Sequence, residues 1–394
     1  MGSNGSHDSI KRTYAILCLS HMLMHVFTQM HIALIPILRV ELGLDTLAIG
    51  FMASIPLLIQ AVFTIPGGLL ADRINPSRLI PVGLLISGIG GIMMMWVNSV
   101  TLLILFVSLF SISSALIHPA ALSVVSKLVS TNARGKALGF FGAAGTLGIA
   151  LGPITLSFLV NAFGWRLVYL MWSIPLLLVP TIILKLKLKK TSEIEEKTVR
   201  RESTSSEFHI LRNLSLILIL AIMGIRSMGG NAINTYITPY FVDGLSIESE
   251  LAILIFGLSP LMGVFASPAG GVLVDRIGAR RWLAIGFISQ IIFLLIAAFT
   301  AYLPLVLVGY LSYSFFSIME MPAEQLMIAK LTPKGGRGLA YSLSFLPSTI
   351  VGSFSPILVA FIVEAFGIWQ IFPFAIAMFA LAITILGSIW KRIK

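Results

Sequence analysis

The sequence predicts an all-α integral membrane protein: twelve transmembrane helices in two pseudo-symmetric six-helix bundles, with both termini cytoplasmic. Three observations predict it. Of 394 residues, 57% are hydrophobic and only 11% charged, with a mean hydropathy of +0.98; a soluble globular chain carries roughly 25% charged residues. Apolar runs of about the 20 residues that cross a bilayer as helix recur along the whole chain. The chain also repeats itself: "GGLLADRI" at 67–74 returns as "GGVLVDRI" at 270–277, placing Asp72 and Asp275 at an offset of 275 − 72 = 203 residues.

In chain order the apolar runs are 13–38, 46–71, 79–97, 101–128, 135–162, 165–186, 211–241, 248–274, 281–300, 303–329, 337–365 and 368–390. In lipid they must be helices, because open strands would leave backbone groups unpaired. The first run is too long and too rich in histidine for a cleavable signal peptide. The same 203-residue offset pairs Pro119 with Pro322, Lys127 with Lys330, Arg134 with Arg337, Pro153 with Pro356, and "AFG" at 162–164 with "AFG" at 365–367. An even number of helices per half makes the repeat parallel, related by an axis along the membrane normal. The expected organisation is a cytoplasmic tail (1–12), a first bundle (13–186), a polar mixed-charge linker on the cytoplasmic side (187–210), a second bundle (211–390) and a short cytoplasmic end (391–394).

The net charge of +11 raises the question of nucleic acid, and its distribution argues against that partner. Of 27 Lys and Arg residues, 24 fall at the termini or in loops on one side of the twelve-helix map. Arg39 and Arg166 fall on the other side and Arg226 lies within a span. This asymmetry is the positive-inside pattern and puts the basic side in the cytoplasm. Cys18 is the only cysteine, so no intrachain disulfide forms. The opening "MGSNGS" fits a myristoylation pattern formally and reads as a polar tail.

The loop after the second span carries Gly68, Leu70, Asp72 and Arg73, followed by Asn75, Pro76 and Ser77, with Arg78 restoring part of a basic end. The second copy carries Gly271, Leu273, Asp275, Arg276, Gly278, Arg280 and Arg281. These residues resemble the G-x-L-x-D-R-x-G-R-[RK] loop of the major facilitator superfamily of secondary transporters, and the likeness extends over nearly the whole chain. Glycine permits close helix approach. An aspartate beside arginines at a membrane surface can act as a charge latch that closes in one conformation and opens in another. On the fifth span, Ala144, Gly148 and Gly152 form a small-residue stripe ended by Pro153. It permits backbone-to-backbone packing and resembles the antiporter motif of proton-driven drug exporters, without the glycines that usually follow the proline. The stretch "IHPAALSVVSKLVSTNARGKALGFFGAAG" is locally similar to the fosmidomycin-resistance branch.

Polar residues within spans mark the functional interior, since such groups face the bundle interior or water. The resemblance implies that helices 1, 4, 7 and 10 line the transport path, and the polar residues concentrate there. Helix 1 carries His21, His25 and Gln29; helix 4 carries Ser114 and His118; helix 7 carries Arg226, Asn231 and Asn234; helix 10 carries Tyr313, Ser317, Glu320 and Glu324. These are the candidate substrate-binding groups, with Glu320, Glu324, His25 and His118 as candidate proton carriers. An ionised carboxylate in an apolar span costs several kcal/mol unless paired, hydrated or protonated. Arg226 either neutralises Glu320 or holds an anionic substrate with its planar fork. His21 and His25 at i, i+4 have spacing suited to a metal, but two histidines are too few, and His118 or Met24 would have to join. The expectation is no metal site and no cofactor.

No Walker-type phosphate loop and no Ser-His-Asp or Cys-His constellation stands out, so neither a primary pump nor an enzyme is expected. The reading is a monomeric, proton-coupled transporter of the plasma or inner membrane, working by alternating access and exporting small amphipathic organic compounds. The alternative is transport of a small organic anion or metabolite. A lipid flippase, a metal-ion transporter and a non-transporting receptor or scaffold complete the range.

The orientation is testable. In Cys18→Ser protein, single cysteines placed in the 187–210 linker are expected to resist an impermeant thiol reagent in intact cells and to react in inverted vesicles. Labelling from outside intact cells overturns the map.

Overall fold

The computed structural model of the chain describes residues 3–128, 134–185, 214–331 and 346–390. The linker, both chain ends, the Arg134-equivalent Arg337 and the side chains of Asp72, Lys127 and Arg134 lie outside the described residues. Helix follows helix: α1 (Ser3–Val26), α2 (Met30–Ala33), α3 (Ile35–Leu42), α4 (Thr46–Arg73), α5 (Pro76–Met93), α6 (Val100–Leu128), α7 (Arg134–Lys185), α8 (Leu214–Pro239), α9 (Ser249–Leu261), α10 (Gly263–Ile277), α11 (Ala279–Ala298), α12 (Leu303–Met319), α13 (Met321–Leu331), α14 (Ser355–Phe366) and α15 (Ile371–Ser388). Among the described residues, eleven apolar helical stretches are long enough to cross a membrane. One of them, 50 residues long, is two spans joined at Gly164, whose φ of 73° and ψ of 152° end one helix and start the next. This accounts for the twelve expected spans.

Two of the spans are interrupted. The first apolar span, Ile10–Ala33, lies on a helix that begins at Ser3, and it breaks between Val26 and Met30 and again at Leu34. Pro36 has no N–H to offer the carbonyl of Ile32, four residues back. The tenth span breaks at Glu320 for the same reason: Pro322 cannot donate to Ile318, and the ladder resumes with a tight bond from Ala323 N to Glu320 O (2.9 Å).

Contacts divide the chain into two compact units. Unit one is Met1–Leu34 with Ile59–Ile194; unit two is Ile35–Leu58 with Glu195–Lys394. Residues 35–58 group with the second unit because Tyr236 Oη donates to the carbonyls of both Thr46 (3.3 Å) and Pro356 (2.8 Å), and Gly50 sits against Pro356. Arg39 pairs with Asp243 in the same unit.

Landmarks within each unit recur at the sequence offset. Gly164 and Gly367 are the glycines of the two "AFG" runs, and both have positive φ (73° and 91°), a conformation other residues rarely adopt. Gly83 packs on Ile117, and Gly286, 203 residues on, packs on Glu320, the residue 203 beyond Ile117. Unit one is cored by Phe27, Phe110 and Tyr169: both phenyl rings stack on Tyr169, with centroids 5.2 and 6.1 Å away, and tilt against each other at 4.7 Å. Unit two is cored by Phe241 against Tyr310 and Phe287 against Phe379. Large apolar side chains such as Phe158 (69% exposed) and Phe265 (70%) point outward, the arrangement that a lipid solvent favours.

The stripe on α7 brings that helix against α1. A Cβ on Gly148 would overlap the carbonyl oxygen of Met22, and one on Gly152 would overlap that of Val26, while Ala144 and Pro153 flank them on the same helix. Gly152→Ala is therefore expected to cost about 1–3 kcal/mol, as overpacking against rigid backbone does. Gly142→Ala, with nothing within 4 Å of the new Cβ, is expected to leave stability unchanged. Thermal unfolding in detergent compares the two; equal melting temperatures would show that α1 and α7 are not held this closely.

Candidate functional site

Two polar clusters stand inside the spans, one in each unit. In unit one, α1 contributes His21 and His25, one turn apart on a single face, and α6 contributes His118. The Nε2 of His118 lies 3.2 Å from Nε2 of His21 and 3.1 Å from Nε2 of His25. Each ring is held from its far side. His21 Nδ1 bonds the carbonyl of Phe141 on α7 (2.8 Å) and its ring stacks on that phenyl at 4.0 Å. His118 Nδ1 bonds the carbonyl of Ser114 (2.9 Å), with Ser114 Oγ at 3.0 Å, and His25 Nδ1 faces Thr28 Oγ1 (3.3 Å). Gly145 makes room for the rings: a Cβ there would come within 2.8 Å of His21 Nδ1 and 3.0 Å of His25. Gln29 is not on the stripe with the histidines, because the helix has ended at Val26; it stands in the turn before α2.

In unit two, Arg226 on α8 faces both glutamates of the broken tenth span. Its Nε donates to Glu324 Oε1 at 2.7 Å and lies 3.1 Å from Glu320 Oε1. Glu320 is fully buried and Glu324 is 6% exposed. The break between α12 and α13 lets residues 320 and 324 converge on one guanidinium. Gln290 on α11 donates to Glu320 Oε2 (2.7 Å), and Gly286, one turn earlier, leaves space for the carboxylate. Among the described residues, neither Glu320 Oε1 nor Gln290 Oε1 has a hydrogen bond. With both carboxylates ionised, one guanidinium would leave one negative charge uncompensated away from water.

The sequence offered Glu320 as the structural partner of Arg226; the two pair at 3.1 Å, and Glu324 joins them and takes the hydrogen bond. Gln290 was missed, since a single neutral amide in an apolar run carries little signal. The carbonyl of Phe141 was missed because backbone acceptors leave no trace in sequence. Asn231 bonds the carbonyl of Gly352 (2.9 Å) and so ties α8 to the eleventh span. Asn234 lies one turn further along α8, and Tyr313 (5% exposed) and Ser317 line α12 before the break.

The two loop motifs differ. In the first, Gly68 and Arg73 end α4, Asn75 Oδ1 accepts from Ser77 N (2.9 Å) with Pro76 behind it, and Arg78 is exposed. The departure from the family pattern is thus a helix N-cap. In the second, Gly271, Asp275 and Arg276 lie on α10, and Gly278 takes a positive φ of 86°. Among the described residues Asp275 has no ion-pair partner, while Arg280 bonds the carbonyl of Trp390 and stacks on its ring at 4.4 Å. The described part of the second loop therefore shows an arginine anchored to the last span, with no Asp–Arg contact.

The profile of the Major Facilitator Superfamily matches residues 17–268 and 219–394. The chain belongs to that superfamily. It is a multi-pass membrane transporter, and membership excludes an enzyme. The facilitator fold is shared with solved structures: a bacterial homologue of the human lysosomal transporter Spinster, inward-facing and occupied, superposes with a TM-score of 0.81 at 16% identity, covering 97% of both chains. Among sequence relatives, the probable sulfoacetate transporter SauU of Cupriavidus necator is 23% identical over 95% of this chain and 92% of its own. The quinolone resistance protein NorB of Staphylococcus aureus is 24% identical over 66% of this facilitator and 52% of its own length.

The acidic cluster makes a stability prediction. Arg226→Ala leaves two buried carboxylates unpaired and is expected to cost about 3–5 kcal/mol. Adding Glu324→Ala is expected to recover part of that loss, since an unpaired buried charge is what costs. A thermal-shift double-mutant cycle measures this, and near-additive losses reject the coupling.

Proposed function

We propose that this facilitator is a proton-coupled exporter of small amphipathic organic compounds, working by alternating access in the plasma or inner membrane, with both termini in the cytoplasm. The observation that carries the reading is the shared guanidinium of Arg226. Glu324 takes its hydrogen bond, Glu320 stands 3.1 Å away without one, and with both acids ionised the cluster would hold one negative charge more than it can neutralise. With two acids facing one base, a proton carried by Glu320 would balance the cluster. Gln290 suits both states. As found, its Nε2 donates to the carboxylate; with the amide turned over, its Oε1 would accept from a protonated carboxyl. Loading and release of that proton would shift how firmly α11 and the broken tenth span hold each other.

Export is supported by the antiporter-like stripe on α7 and by the similarity to a quinolone resistance protein. Transport of a small organic anion is the second reading, supported by the similarity to a probable sulfoacetate transporter. It would require Arg226 to give up contacts that its Nε makes with two carboxylates. The energetics suffice for either cargo: one proton crossing about 100 mV releases roughly 2.3 kcal/mol, enough for on the order of a 50-fold gradient.

The test is Glu320→Gln in proteoliposomes. Movement of ethidium driven by an imposed pH gradient is expected to be abolished, while gradient-free counterflow of the same compound persists; Glu324→Gln is expected to do less. Retained gradient-driven accumulation in folded Glu320→Gln protein would place the coupling proton elsewhere.

A further inference from the structure

We propose that the three histidines of unit one form a binding site for one divalent first-row transition-metal ion of the Zn²⁺ class, ligated by His21, His25 and His118 through Nε2. The first argument is convergence. One ring nitrogen from each residue lies within 4.8 Å of the other two, and the Nε2 atoms of His21 and His25 stand 3.2 Å and 3.1 Å from that of His118. A tetrahedral zinc ion with Zn–N bonds of about 2.0–2.1 Å holds its nitrogens roughly 3.3–3.4 Å apart.

The second argument is proton accounting. A carbonyl oxygen only accepts, so the Nδ1 of His21, bonded to the carbonyl of Phe141, carries the hydrogen, while the Nδ1 of His118 faces both the carbonyl and the hydroxyl of Ser114. A neutral imidazole protonated on Nδ1 has its lone pair on Nε2. The Nε2 lone pair of His21 therefore points at the Nε2 of His118, and in the tautomer in which His118 Nδ1 donates to the Ser114 carbonyl two lone pairs face each other at 3.2 Å, a contact that repels until a cation sits between them. A shared proton would relieve one pair of nitrogens; here three converge.

The third argument is support from behind. Metal-binding histidines characteristically donate their other N–H to a carbonyl or similar acceptor, which fixes ring orientation. His21 does so, His118 has the carbonyl and hydroxyl of Ser114 behind it, and His25 has Thr28 Oγ1 in the corresponding place. Gly145 keeps the space the rings need. An all-imidazole set selects for Zn²⁺, Cu²⁺ or Ni²⁺ and against Mg²⁺ and Ca²⁺. Among the described residues no Cys, Asp or Glu joins the cluster, so a fourth position stays open for water or a small anion. An ion held there ties α1 to α6.

The experiment uses full-length protein, free of any affinity tag, purified in detergent and titrated with Co²⁺ and with Zn²⁺ in competition with a chromophoric chelator. One ion per chain is expected, with the intense visible absorption of four- or five-coordinate Co²⁺, unchanged by excess Mg²⁺ or Ca²⁺. His118→Ala is expected to weaken binding more than about 100-fold, beyond the loss that removing a mere supporting partner causes. His118→Cys restores a ligand and is expected to keep one-to-one binding, and His31→Gln, outside the cluster, to bind as the parent does. Absence of saturable binding below millimolar Zn²⁺, an unchanged affinity in His118→Ala, or a folded His118→Cys protein that binds nothing overturns the proposal and leaves a shared proton as the occupant.

Discussion

One guanidinium nitrogen facing two carboxylates is the interaction on which the second unit depends. Arg226, Glu320 and Glu324 come from helices far apart in sequence, and each would be costly alone in an apolar span. The break at Glu320 brings the two acids to one base, Gly286 leaves the volume for the buried carboxylate, and Gln290 supplies a donor. Strict neutralisation would have used one acid. On the proposed reading the second acid makes the cluster responsive to a proton, and a structural ion pair and a coupling device would then share the same atoms.

The spans were legible because hydropathy has a long wavelength: a bilayer asks for about 20 apolar residues in a row, and no single residue spoils that signal. The chain departs from smooth helices where local chemistry removes a donor, at Pro36 and Pro322, and where a glycine of positive φ turns the chain, at Gly164. The polar residues were legible as a set, because anything charged or imidazole-bearing stands out against leucine and isoleucine. Their partners were less so. Nothing in sequence says that His118, more than 90 residues from His25, closes on the same point, or that the carbonyl of Phe141 orients a ring. Glu320 and Glu324 were visible as a pair on one helix face, but which of them takes the hydrogen bond depends on how the helix breaks.

Small residues set the distances that the polar groups need. Gly148 and Gly152 bring α7 onto the backbone of α1, and Gly145 on the same helix then lies against the histidine rings. A helix pair held apart by larger side chains would carry Phe141 and its carbonyl out of reach of His21. The packing stripe and the histidine cluster are therefore one feature seen at two levels.

The matched positions of Gly83 over Ile117 and Gly286 over Glu320 show how a duplicated fold diverges. Both halves keep the same notch, yet one fills it with hydrocarbon and the other with a carboxylate. One residue further on, the first half has His118 and the second Met321, each followed by a proline. The repeat thus supplied two matching proline-bearing helices, one continuous through Pro119 and one broken at Glu320, and adjacent positions carry different chemistry: imidazole in one, acid in the other. The halves are no longer interchangeable. A chain built from two second halves would keep the architecture and carry the acidic cluster twice, with no imidazole cluster. The halves differ in what occupies the notch beside a proline, and the helix around that notch is continuous in one and broken in the other.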